Sequence, residues 1–284
     1  MSKIAIVSDS TAFLPSELTN QYAIKVLPLV VIWDEKNYED GVDIQSSEFY
    51  TRLKTSKTMP STSQVSVGNM HAAFQSLVDQ GFEVLGIFIS SKLSGTIQSA
   101  MQAKSMMSLA DAEKVTVVDS LATSMNMGFI TLAVARAIQG GASLKECLAV
   151  AEQARENSGI FFAVDTLEFL HRGGRIGSAQ RFIGSALNLK PILTLKDGKV
   201  EGMERIRTKS KAHDRLMELV LERVKGKSNV RLATLHANAP EDAKSLLDRT
   251  AAKANAVETI FTEVSPVIGT HTGPGTVGLA YSFD

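Results

Sequence analysis

Three stretches of the chain collect residue types able to hold an anion. The first is VLGIFISSKLSGTIQSA (84–100). Its apolar opening, 84–90, reads as a buried strand, and a hydroxyl-rich turn through Ser90, Ser91, Ser94, Gly95 and Thr96 leads into a helical pattern. Such a turn leaves backbone N–H groups and the positive end of the helix dipole aimed at one spot. Ser94 and Thr96 can add hydroxyl donors there, and the expected occupant is a carboxylate. The second stretch, TMPSTSQVS (58–66), has five Ser or Thr in nine residues and includes Thr62 and Ser63. It precedes apolar residues at helical spacing (Met70, Ala73, Phe74, Leu77, Val78), so it repeats the loop-into-helix logic. The competing reading is a flexible Ser/Thr loop, which composition alone favours. The third, VIGTHTGPGT (267–276), encloses His271 between Thr270 and Thr272 and among Gly269, Gly273 and Gly275. Glycine lets backbone approach a ligand closely, so His271 is read as pointing into a site from a glycine-rich loop.

Further polar candidates flank these. Asp9, Ser10 and Thr11 follow a first strand, KIAIVS (3–8), and Asp119 and Ser120 follow KVTVVD in the same way. Ligands gather at the carboxyl ends of strands in α/β sheets, but turn and cap chemistry explains Asp and Ser there as well. HRGGRIGS (171–178) places Arg172 and Arg175 around a double glycine, with Arg207 as a possible third cation. It lacks the glycine interval and Lys-Ser/Thr of a phosphate-binding P-loop. The five histidines have no paired spacing of a zinc site and Cys147 stands alone, so no metal is expected. No nucleotide-binding signature is present. A Ser94–His271 hydrolase pair is the main competing chemistry, yet the sequence lacks a G-x-S-x-G elbow and marks no orienting acid.

The elements that must position these residues alternate strand and helix through about residue 156, which argues for a parallel sheet covered on both faces. One helix is expected over 128–139, ended by Gly140 and Gly141, and another over 144–156, capped by Ser143. Beyond 157–159 the pattern changes to strands joined by a turn at Lys196, Asp197 and Gly198, then further strands and helices. The fold class expected is α/β in two domains: 1–157, a parallel-sheet α/β/α domain carrying the carboxylate site, and 158–284, an α/β domain with a mixed sheet.

Composition narrows the function classes. Basic and acidic residues balance at 30 each, which gives no electrostatic footprint for nucleic acid. No apolar run reaches the ~18 residues of a spanning helix, so stable membrane insertion is not expected. The first residues, MSKIAIVSDS, read directly as a strand without secretory-leader features, and the lone cysteine fits a reducing compartment; the expectation is cytoplasmic.

Taken together the motifs resemble the DegV family, whose characterised members include the FakB subunits of bacterial fatty acid kinase. The resemblance rests on Ser8, Asp9, Ser10 and Thr11; Thr62, Ser63 and Gln64; SSKLSGTIQSA (90–100); Asp119 and Ser120; LEFLHRGGRI (167–176); Lys190, Pro191 and Ile192; Arg207; and HTGPG (271–275). These run in order along the chain. Val65 departs from the pattern, standing where the family usually has proline.

The resemblance implies a DegV-like fold with a fatty acid buried between two α/β domains. It implies that Thr62 and Ser94 donate to the carboxylate, that His271 reaches it, and that Ser63, Gly95 and Thr96 line the same spot. Asp9, Ser10, Ser120 and Thr270 are secondary candidates. Phe161, Phe162, Phe182, Ile183, Ala186, Leu187, Ile192 and Leu193 are candidates for the acyl pocket. The implied role is non-enzymatic: the protein presents the fatty acid to a separate ATP-binding kinase subunit (FakA-like), which forms an acyl phosphate for phospholipid synthesis. Arg172, Arg175 and Arg207 would dock that partner. No cofactor is implied. The alternative is a hydrolase, or an enzyme for a small carbonyl ligand, using Ser94 and His271.

Overall fold

A computed structural model describes residues 3–184 and 189–284. The first half contains strands β1 (Lys3–Asp9), β2 (Lys25–Leu27), β3 (Val30–Trp33), β4 (Lys36–Glu39), β5 (Ser61–Ser63), β6 (Phe82–Phe88) and β7 (Val115–Asp119). Its helices are α1 (Ser16–Gln21), α2 (Ser46–Leu53), α3 (Val67–Asp79), α4 (Thr96–Ser105), α5 (Leu109–Ala112), α6 (Ser124–Gln139) and α7 (Leu144–Glu156). The second half contains β8 (Ser158–Ala163), β9 (Lys190–Lys196), β10 (Lys199–Ile206), β11 (Arg231–His236), β12 (Glu258–Glu263) and β13 (Val277–Ser282). Its helices are α8 (Glu168–Arg172), α9 (Lys209–Val224), α10 (Pro240–Ala254) and α11 (Pro266–Thr272).

The α/β class holds. Strands β2, β1, β6 and β7 lie in that order in an all-parallel sheet, as crossover helices require. Strands β10, β9, β8, β13, β11 and β12 form a mixed sheet in which β11 and β12 are parallel and the other pairs antiparallel. The third sheet is small and antiparallel, ordered β4, β3, β5. It fixes the Ser/Thr stretch that the sequence left open between a flexible loop and a site: Val31 pairs with Thr62. Val65, in the proline position, is fully buried in the adjoining core, so apolar packing anchors this segment.

Strand alternation sets the layers. On β6, Val84 and Phe88 face α3 and α4, whereas Leu85 and Ile87 face α6 and α7. Helix α6 is buried along most of its length. Its Met127, Ile130 and Val134 pack on the parallel sheet, and its Met125, Phe129 and Leu132 join the cluster containing Ile160 and Phe162 of the mixed sheet. The opposite face of the mixed sheet is covered by α9 and α10. The helix predicted from residue 128 begins at Ser124, because the chain turns into α6 directly after the β7 loop. Among the described residues no helix is long and apolar enough to cross a membrane.

Candidate functional site

The carboxyl ends of the parallel strands face the inner side of the mixed sheet, and a cavity lies between them. It encloses about 860 Å³ of empty space, counting the part open to solvent. Its polar wall includes Thr62, Ser63, Gln64, Ser94, Gly95 and His271. Most of the remaining wall is apolar: Leu29, Ile89 and Leu93 from the first half, and Ile160, Phe162, Leu170, Leu195, Val200, Leu235, Val264, Val267 and Ile268 from the second.

Three elements converge on the polar end. Strand β5 carries Thr62, whose Oγ1 lies 2.8 Å from His271 Nε2. The β6–α4 turn carries Ser94, whose hydroxyl lies 3.0 Å from Thr96 Oγ1 and accepts from the Thr96 N–H at 3.3 Å. Gly95 caps α4 without a side chain and packs against the Gln64 amide, leaving backbone at the cavity wall. Thr96 is fully buried and holds Ser94 in place without itself lining the cavity.

His271 does not sit in a loop. It occupies the last turn of α11, which begins at Pro266, a favourable first-turn proline. The surrounding glycines serve packing of this helix. Gly269 lies against the Tyr50 ring, and Gly273 closes the helix at a φ of 75° against the Phe169 ring. The double glycine of HRGG takes part in the same packing: a Cβ built on Gly173 would overlap His271 Nδ1. Burial pushes the imidazole down to about 4, and the nearby Arg175 charge acts in the same direction. The ring is therefore neutral near pH 7. Nδ1 has no hydrogen-bond partner among the described residues. A buried orphan N–H is costlier than a buried lone pair, which favours the proton on Nε2. In that tautomer His271 donates to Thr62 Oγ1, and the Thr62 O–H is left to donate into the cavity.

The secondary candidates brace the site from outside the cavity. Asp9 accepts from the Ile89 N–H at 2.8 Å, the Thr11 N–H at 2.9 Å and the Thr11 hydroxyl at 2.6 Å, tying the ends of β1 and β6 together. Burial lifts its carboxyl to about 6 despite these bonds. Ser10 donates to Asp40 at 2.7 Å, and Asp40 accepts the Val267 N–H at 3.1 Å, so the first strand is linked to the start of α11. Ser120 closes its own turn, donating to the Ala122 carbonyl and accepting the Ala122 N–H. Thr270 bonds back to the Pro266 carbonyl within α11.

Several sequence expectations need correction. Phe161 and Ile192 do not line the cavity; they point to the opposite face of the mixed sheet, among Ala212 and Leu216 of α9. The reason is strand alternation: Phe162, paired with Leu193, takes the inner face and reaches the cavity wall. Ile183 is 46% exposed. Phe182 packs against Gly202 and near the Arg181 and Arg205 guanidinium groups, away from the cavity wall. Ala186 and Leu187 fall outside the described residues. Arg175 turns inward, donating to the Leu93 carbonyl at 3.1 Å and the Gly173 carbonyl at 2.6 Å, and it lines the cavity. Arg172 stays exposed and pairs with Glu168, and Arg207 is exposed.

Sequence reading missed Thr123 and Ser124, which line the cavity at the start of α6. The Thr-Ser pair after a strand was a cap signal, hidden because that helix was placed four residues too late. The hydrolase geometry does not assemble. His271 bonds Thr62, not Ser94, and among the described residues no carboxylate orients its Nδ1. Among the described residues no group of three or more His, Cys, Asp or Glu is placed to share a metal ion.

The comparisons with known proteins agree with this architecture. The profile described as "Uncharacterised protein, DegV family" matches residues 3–284. Protein DegV of Bacillus subtilis is 37% identical over 281 residues, covering 99% of both chains. The chain belongs to the DegV family. Among DegV structures, one described as fatty acid binding, from Thermus thermophilus, superposes with a TM-score of 0.94 at 35% identity, covering 99% of this chain and 100% of that one. The structure of Bacillus subtilis DegV, described as a fatty acid binding protein, gives 0.90 at 34% identity with full coverage of both chains. A stearic acid-binding protein from Eubacterium ventriosum gives 0.91 at 27% identity, covering 100% of this chain and 98% of that one.

Proposed function

We propose that this DegV protein binds a long-chain fatty acid and presents it to a separate ATP-dependent kinase subunit. The observation that carries the binding half is a single cavity with a largely apolar wall and a hydroxyl–imidazole cluster at its polar end. A fatty carboxylate has a reference pKa near that of Glu, about 4–5, and enters ionised at neutral pH. Burying it bare would cost several kcal/mol. Thr62 and Ser94 offset that cost as donors, the α4 N-terminus contributes its dipole, and neutral His271 fixes the Thr62 hydroxyl. The tail contributes roughly 0.8 kcal/mol per buried CH₂, on the order of 10 kcal/mol for a ~16-carbon chain before ordering costs. The fatty acid-binding DegV structures support the same ligand class.

In this reading residues 1–157 hold the carboxylate, and 158–284 supply most of the tail pocket and His271. The protein works in the cytoplasm and carries out no chemistry of its own. The kinase subunit would form an acyl phosphate for phospholipid synthesis, docking near exposed Arg172 and Arg207. The absence of a Walker or kinase signature from the sequence supports a separate source of ATP chemistry.

Native mass spectrometry of the purified protein, followed by organic extraction, tests the binding half. A stoichiometric fatty acid is expected; a clean apo mass with no uptake of added palmitate or oleate overturns it. Adding ATP and the ATP-binding subunit of a fatty acid kinase tests presentation, with acyl phosphate trapped as a hydroxamate. A loaded protein that yields no hydroxamate removes the presentation half and leaves binding intact.

A further inference from the structure

The junction between β7 and α6 adds two hydroxyls to the wall of the cavity that holds the Thr62–His271–Ser94 cluster. Thr123 and Ser124 both line the cavity. Ser124 is 2% exposed, and neither its Oγ nor Thr123 Oγ1 has a hydrogen-bond partner among the described residues. Thr123 is the N-cap of the 16-residue α6, yet its side chain makes no capping bond. The Ser66, Ser143 and Thr208 caps of α3, α7 and α9 each accept a first-turn N–H. The α6 N-terminus therefore keeps first-turn donors uncapped by a side chain, beside two unpaired hydroxyls.

A buried hydroxyl without a partner forfeits bonds that it makes in water. A plain methylene chain in this cavity leaves both unpaired. A chain bearing a hydroxyl pairs them, because that group can accept from Ser124 O–H or an α6 amide while donating to Thr123 Oγ1.

We propose that Thr123 and Ser124 form a second polar contact in the cavity and that the ligand class is a hydroxylated long-chain fatty acid. The inference rests on the fatty acid reading above and deepens it by naming the substituent. The carboxylate stays at Thr62 and Ser94, and the position of the chain hydroxyl is set by the path from that end to the α6 N-terminus.

The test titrates delipidated protein with hexadecanoic acid and with a positional series of its monohydroxylated forms. At least one isomer is expected to bind about five- to tenfold more tightly than the plain acid, the worth of one or two neutral hydrogen bonds. In the Thr123→Val, Ser124→Ala double variant the ratio of the two affinities is expected to fall to one. Wild-type protein that binds hexadecanoic acid but prefers no hydroxylated isomer overturns this inference alone. So does a preference that survives the double variant. Failure of every acid to bind overturns the fatty acid reading and this inference together. Should the double variant not fold, the wild-type series together with Ser124→Ala alone decides the matter.

Discussion

His271 Nε2 lies 2.8 Å from Thr62 Oγ1, although the two residues are 209 positions apart in the chain. The contact joins α11 to the edge of the small β5–β3 sheet. It sets the direction of the Thr62 hydroxyl, because a neutral ring that donates from Nε2 leaves the threonine proton for a ligand. Thr62→Val keeps the shape and removes the hydroxyl. Fatty acid affinity is expected to fall roughly 10- to 100-fold, as for loss of a charge-assisted hydrogen bond. Isothermal titration with oleate checks this, with circular dichroism to confirm the fold; unchanged affinity would remove Thr62 from the carboxylate site.

Gly173 and Gly174 are adjacent but constrained differently. Gly173 faces His271 Nδ1 with no room for a Cβ, whereas Gly174 has nothing within 4 Å and a φ of 71°. Gly173→Ala must shift the imidazole and is expected to cost about 1–3 kcal/mol of stability and at least tenfold in fatty acid affinity. Gly174→Ala meets only backbone strain, about 1 kcal/mol, and keeps its affinity. Thermal unfolding and ligand titration on both variants distinguish them. Equal affinities would show that the ring tolerates displacement.

The buried His271 and Asp9 give opposite pH dependences. The folded-state pKa of His271 is depressed to about 4 from 6.5. The unfolded chain therefore binds the extra proton between those values, and stability is lost as pH falls from about 6.5 to 4. The folded-state pKa of Asp9 is raised to about 6 from 3.8. The folded chain binds that proton first, so its contribution is fully present below about 3.8 and lost as pH rises through 6. Each is worth about 3 kcal/mol in order of magnitude. Wild-type stability is expected to change little from these two groups across pH 4–6. His271→Gln should uncover the Asp9 contribution, so that its stability relative to wild type increases on acidification. Denaturant melts of both proteins at pH 4.5 and 6.5 read this out, and a constant difference between them would contradict the buried neutral imidazole.

Phe161 and Phe162 test which sheet face the acyl chain touches. Both are almost fully buried, at 2% and 6% exposure, and replacing either with Leu is expected to cost about 1 kcal/mol or more. Only Phe162 lies on the cavity wall. Phe162→Leu should change the order of preference in a panel of acids of different chain length, and Phe161→Leu should leave it unchanged. A changed order in Phe161→Leu alone would place the tail on the α9 side of the sheet.

Much of this protein was legible in its sequence because the signals were local. Alternating strands and helices gave the parallel sheet, and hydroxyl residues at strand ends marked the loops carrying Thr62 and Ser94. Gly and His near residue 271 marked a residue that reaches the cavity wall but suggested the wrong element. Glycines there permit close packing of α11 on Tyr50 and Phe169, and a sequence does not say whether glycine makes room for a ligand or for a neighbouring side chain. Which of two adjacent phenylalanines faces the cavity was likewise beyond the sequence. A run buried on both sheet faces has no polar alternation to set its phase. Arg175 could be counted as a surface cation until the fold brought the Leu93 carbonyl within reach of its Nε. The sequence by itself determined which chemical groups were available and the kinds of elements carrying them, since propensity and periodicity act over a few residues. Tertiary structure decided which groups meet, because Thr62, Ser94, Gly173 and His271 are joined only by packing between segments far apart in the chain.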